Sequence, residues 1–111
     1  MMKVSKQYKY QAIADDIKTE IFSNHMKGNS PLPSIRQYAV KYGVTSNTIV
    51  SALHLLRNNK IIYPHRTKRY CVVTDIEERR LAIANELIQQ LITDIKKIGF
   101  TEQEISKMVQ Q

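Results

Sequence analysis

Asn47, Ser51 and His54 recur along one helical face, and the chemistry open to that set is hydrogen bonding to another molecule's polar edge. At about 100° per residue they fall opposite Ile49, Ala52, Leu53 and Leu56, whose i, i+3, i+4, i+7 spacing marks a buried stripe. Asn58 extends the polar row, Val50 and Arg57 flank it, and no acid stands in it. A carboxamide donates and accepts at once, which suits the N6 and N7 edge of adenine, so Asn47 leads as a base-reading candidate. Ser51 and His54 stand further from the helix start, and Val50 has the shape to meet a thymine methyl. Thr45, Ser46 and Thr48 place hydroxyls at that start, where they serve as helix caps or meet phosphate oxygens, and the two roles are compatible. Arg36 has a guanidinium that bridges to phosphate or pairs with a guanine edge through two parallel hydrogen bonds. His65, Arg66, Lys68 and Arg69 cluster in a third place, and the cations among them suit phosphate better than base edges.

Catalysis and metal binding find little support. His25, His54 and His65 are scattered, with no Glu or Cys at ligand spacing, and no phosphate-binding glycine loop, nucleophile elbow or acid cluster is present. Neither a cofactor, a metal nor an enzymatic activity is expected. Cys71 has no partner for an internal disulfide and reads as a small buried hydrophobe, with a redox-sensing thiol beside Lys68 and Arg69 as the alternative. Charge is divided unevenly within the net +7 of the 111 residues. Residues 1–74 hold 12 Lys or Arg against Asp15, Asp16 and Glu20, giving +9, and residues 75–111 hold 5 against 7, giving −2. A basic segment of this kind gains free energy by releasing counterions from a polyanion, which makes nucleic acid the leading partner. No run of about 18 apolar residues is present to span a bilayer, and MMKVSKQYKY has no apolar stretch of leader type. A cytoplasmic protein without a membrane partner is expected.

The elements that must position these residues follow from periodicity. Tyr10, Ile13, Ala14, Ile17, Ile21 and Phe22 predict an amphipathic helix between about Tyr10 and Ser23. Lys27-Gly28-Asn29-Ser30-Pro31-Leu32-Pro33 breaks it. A second helix starts at or just before Ser34, carries Ile35, Tyr38 and Ala39 inward, and ends at Gly43. The third, capped by Thr45 or Ser46, ends at Asn58-Asn59-Lys60. Ile61-Ile62-Tyr63 and Tyr70-Cys71-Val72-Val73 then form two short strands around a basic tip. Three helices and a basic hairpin are the order of a winged helix-turn-helix.

Leu32-Pro33-Ser34-Ile35-Arg36-Gln37-Tyr38-Ala39, with Gly43-Val44-Thr45 and Asn47-Thr48-Ile49 after it, resembles the DNA-binding domain of the GntR family of bacterial regulators across roughly residues 8–74. The resemblance implies a dimeric repressor whose third helix enters the major groove of double-stranded DNA while the wing approaches the minor groove. It places the family's motif arginine at Arg36 and its recognition-helix start at Thr45 through Thr48. Many members have arginine where this chain has Ser46 and Val50, so the guanine-reading part of their chemistry does not carry over. The wing also lacks the glycines common in the family.

From Asp75 to Ile98 one long helix is predicted, with Leu81, Ala84, Ile88, Leu91, Ile95 and Ile98 alternately three and four apart and Leu87 and Ile92 widening the stripe. Gly99 closes it, and the Thr101/Glu104 capping box starts a last helix carrying Ile105, Met108 and Val109. The run from Leu91 to Ile105, like the short tail as a whole, is similar to the YtrA-like branch of the GntR family. A helix of about 23 residues runs about 35 Å, more than a small head domain covers, so its stripe reads as a homodimer seam. The expectation is therefore a mainly α chain with a small β-hairpin wing: a winged helix-turn-helix over residues 1–74 and a two-helix dimerisation tail over residues 75–111. It would read a near-palindromic operator, with an unidentified small-molecule effector as a further partner. The alternative is a protein-interaction adaptor working through the tail.

Overall fold

The computed structural model describes residues 6–110; the start of the amino-terminal stretch read above as lacking a leader lies outside them. Five helices and one hairpin follow in the order α1 (Lys6–Ser23), α2 (Ile35–Tyr42), α3 (Ser46–Asn58), β1 (Ile62–Pro64), β2 (Tyr70–Val72), α4 (Ile76–Lys97) and α5 (Glu102–Val109). The fold is mainly α with a β-hairpin wing, as the periodicities require. The chain divides into two compact units, one ending at Ile76 and the other starting at Glu77.

Local chemistry sets the limits of the helices. Ser34 caps α2 reciprocally with Gln37: the Gln37 amide donates to Ser34 Oγ at 3.1 Å, and the Ser34 amide donates to Gln37 Oε1 at 2.8 Å. Gly43 ends α2 at φ 64°, a left-handed conformation that lets its own amide and that of Val44 reach the carbonyls of Val40 and Ala39. The chain is thereby turned straight into Thr45, the cap of α3.

The core of the first unit is the sum of three stripes. Ile13, Ala14, Ile17 and Ile21 of α1 and Ile49, Ala52, Leu53 and Leu56 of α3 are buried together with Tyr38 of α2, and α3 packs against α1, α2 and β1. Leu32, Ile61, Ile62 and Val72 close the core beneath the hairpin. Burying each large aliphatic side chain contributes roughly 1.5–3 kcal/mol, so this set is what holds α3 in one orientation.

The hairpin pairs Ile62 with Val72, Tyr63 with Cys71 and Pro64 with Tyr70 in antiparallel register. The segment that interrupts the helical pattern after α1 does more than turn. Asn29 donates to the Val72 carbonyl at 2.7 Å, Val72 to Ser30 at 2.9 Å and Leu32 to Tyr70 at 2.9 Å, so residues 29–32 run along the free edge of β2. Pro31 faces Cys71 between these bonded positions, where the ladder asks for no N–H.

In the second unit, Gly99 at φ 98° follows α4, and Thr101 and Glu104 form the expected capping box at the start of α5. Ile105 is buried. It lines a groove of about 570 Å³ with Leu91 and Ile92 of α4 and Val109 of α5. Lys96 pairs with Glu102, which holds the Glu102 carboxyl below its usual range.

Gly28 lies close against the backbone of Thr74: a Cβ there would stand 2.7 Å from the Thr74 carbonyl oxygen and 2.8 Å from the Thr74 Cα. Both are main-chain atoms that no rotamer change removes. Gly28→Ala is expected to destabilise the protein by about 1–3 kcal/mol, measured as a lower urea midpoint with an unchanged m-value.

Candidate nucleic-acid interface

The polar face of α3 is outward because the opposite face is core. Thr45, Ser46, Asn47, Ser51, His54 and Asn58 are exposed, and Val50 is half-buried at the flank. Thr48 departs from the expectation. It is only 8% exposed, and its hydroxyl lies 3.1 Å from that of Thr45 while its amide donates to Thr45 Oγ1 at 3.4 Å. Its side chain therefore supports the cap from within, leaving Thr45, Ser46 and Asn47 as the surface of the helix start. Arg36 is exposed in the first turn of α2.

The wing is closed by its own backbone. Lys68 donates to the His65 carbonyl at 2.9 Å and His65 to that of Arg69 at 2.8 Å, which makes residues 65–68 a tight turn. Within it the Thr67 amide donates to His65 Nδ1 at 3.3 Å. Lys68 adopts φ 68°, the left-handed conformation for which a glycine would be the ordinary choice. Arg66, Lys68 and Arg69 are exposed and His65 half-buried. Arg69 is not simply a cation in solvent, since its Nε donates to the Leu32 carbonyl at 3.2 Å. Cys71 is buried behind the turn.

The acids of residues 1–74 stand on a different helix from these groups. Asp15, Asp16 and Glu20 all lie on α1. Two of them are engaged by α2: the Tyr42 hydroxyl donates to Asp16 Oδ2 at 2.6 Å, and Lys41 pairs with Glu20 at 2.6 Å. Burial and the Asp16 contact push the Tyr42 phenol well above its ordinary range, and burial with the Glu20 charge pushes Tyr38 up to about 12. Both phenols stay protonated at neutral pH, and that of Tyr42 is the donor to Asp16. No periodicity announces these α1–α2 contacts, because they join residues far apart in the chain through side-chain tips. Among the described residues, no three His, Cys, Asp or Glu side chains gather as metal ligands, and no helix is long and apolar enough to cross a membrane.

Residues 9–71, which hold the helix-turn-helix and nearly all of the wing, match the gntR family of bacterial regulatory proteins. The chain belongs to the GntR family. A GntR family transcriptional regulator from Listeria monocytogenes is 30% identical, with 91% of each chain covered and a TM-score of 0.72. YtrA from Sulfolobus acidocaldarius, a GntR-family transcription factor, is 26% identical over 91% of this chain and 84% of its own, with a TM-score of 0.62. The HTH-type transcriptional repressor NagR of Bacillus subtilis is 27% identical over 103 residues; these are 90% of this chain, which spans only 41% of NagR's length. As a GntR regulator, the chain is a transcription factor with a DNA-binding domain, and the polar α3 face and basic wing lie within the matched residues.

The left-handed Lys68 sets a trade-off in this GntR wing. Lys68→Gly is expected to raise stability by about 0.5 kcal/mol, because relief of the strained φ outweighs the extra freedom of the unfolded chain. Thermal unfolding of the two proteins side by side checks it; an equal or lower midpoint for the glycine variant contradicts the expectation.

Proposed function

We propose that this GntR regulator is a homodimeric repressor that reads a near-palindromic operator in double-stranded DNA, in the manner of a YtrA-like member. The observation that carries the reading is the acid-free exposed face of α3, with Asn47 and Ser46 exposed at the helix start beside the Thr45 cap. Asn47 reads a base edge, Ser51 and His54 extend the contact, and Arg36 with His65, Arg66 and Lys68 engages phosphate. Ser46 and Val50, where many relatives carry arginine, direct this surface to a different operator. Occlusion of a promoter by the bound dimer is the mode of repression, and the relative NagR is itself named a repressor.

The DNA upstream of the protein's own gene is the probe of choice. Its association constant is expected to fall steeply with salt, with a slope of about −0.9 per phosphate neutralised. Asn47→Ala is expected to weaken binding to that DNA about tenfold or more while leaving binding to a scrambled duplex unchanged, since it removes base reading and no charge. Equal losses on both duplexes would assign Asn47 to the backbone instead.

Dimerisation is supported by the outer surface of α4, where Leu81, Leu87, Ile88, Leu91 and Ile98 are 51–73% exposed. Ala84 is also exposed, and Ile92 and Ile95 are half-buried. A stripe of this size is a self-association surface, and two-fold symmetry would place two α3 helices about 34 Å apart on one face of the duplex. Sedimentation equilibrium is expected to return twice the chain mass of 12.9 kDa, and Leu91→Glu, placed on an exposed position, to return a folded monomer. A wild-type monomer would remove the two-fold mechanism.

A further inference from the structure

Arg69 carries the chemistry of a phosphate ligand, yet its bonds point to another use. Its backbone carbonyl accepts from the His65 amide at 2.8 Å and so closes the turn that presents His65, Arg66 and Lys68. Its side chain reaches the other way, donating from Nε to the Leu32 carbonyl at 3.2 Å. Leu32 is a fixed point: its side chain is 2% exposed, and its amide donates to the Tyr70 carbonyl at 2.9 Å. Two residues beyond it stands Ser34, the cap that starts α2, and Arg36 follows in the first turn. One residue thus links the wing turn to the lead-in of the helix-turn-helix through both its main chain and its side chain.

We propose that Arg69 is a positioning residue, which holds the wing turn against the lead-in to α2 so that Arg66 and Lys68 meet phosphates in register with Arg36. Use of the positioned wing rests on the DNA-binding reading above; the tether itself does not. A guanidinium suits the task because Nε bonds in the plane of the fork while the two remaining nitrogens stay available as donors. A lysine keeps the charge but ends in a single terminal ammonium and has no donor at the Nε position. Replacing one by the other therefore separates tethering from charge.

Hydrogen exchange on the free protein tests the tether through the Leu32 amide, which bonds the Tyr70 carbonyl beside it. In Arg69→Lys the Leu32 amide is expected to lose protection about tenfold, the scale of one charge-assisted hydrogen bond. Asn29 and Val72, bonded further along the same edge, should keep theirs, which distinguishes local release from general loosening. On a random-sequence duplex, Arg69→Lys is expected to bind about tenfold more weakly than wild type although its charge is unchanged. Unchanged Leu32 protection overturns the proposal, as does weakened protection with wild-type affinity. Arg69→Gln adds a second check: it removes tether and charge together, so it should bind no more tightly than the lysine variant, and full retention of both protection and affinity in the lysine variant would make Arg69 a phosphate ligand alone. A wild-type protein that ignores the duplex would sink the DNA-binding reading, while the exchange result would still decide the tether.

Discussion

Burial of one face of α3 is the constraint on which the rest of the first unit depends. Ile49, Ala52, Leu53 and Leu56 are each at most 1% exposed, and they leave α3 no other orientation in which that much apolar surface avoids water. Because a helix has fixed angular spacing, sealing that face commits Asn47, Ser51 and His54 to solvent. The proposed DNA-reading surface is therefore a by-product of core packing. The short α2 depends on the same burial: it contributes Tyr38 to the core, and its limits come from a capping box at one end and a left-handed glycine at the other.

Electrostatics then follow from placement more than from total charge. The three acids of residues 1–74 sit on α1, and two of them bond side chains from the last turn of α2. Those contacts are exposed and add little stability singly, as surface ion pairs do. Their larger effect is to occupy negative charge on α1 while α3 and the wing present only neutral and cationic groups. A polyanion approaching that surface meets no carboxylate among the predicted contact residues.

The wing is small, with three residues in each strand, and so short a hairpin is marginal by itself. Here it is propped from three sides. Residues 29–32 extend its sheet along β2, β1 packs on α3, and the Tyr63 hydroxyl donates to Asn29 Oδ1 at 2.7 Å. The same residues 29–32 lead into the cap of α2, so wing and helix-turn-helix share one strip of backbone. The tail obeys a different balance. Its long helix leaves four large apolar side chains more than half exposed, a surface that water disfavours and that association would cover.

The sequence by itself determined the order of elements, the inward stripes, the cap at Thr101 and the outward face of α3, and narrowed the α3 cap to Thr45 or Ser46, because all of these are local: they depend on helical period and on side chains three or four residues from their partners. The family, too, was legible in the run from Leu32 to Ile49. The Ser34–Gln37 box was equally local, though its hydroxyl and carboxamide were not singled out. Only tertiary structure decided that Thr48 turns inward, that a proline-bearing loop completes the sheet, that Asp16 and Glu20 face α2, and that Arg69 bonds Leu32. Each of these joins segments that meet only when α1, α3 and the hairpin close on one core, or depends on which side of a helix that core seals. Residue type alone assigned Arg69 to phosphate; the geometry of its guanidinium against a buried backbone carbonyl showed where its first hydrogen bond goes.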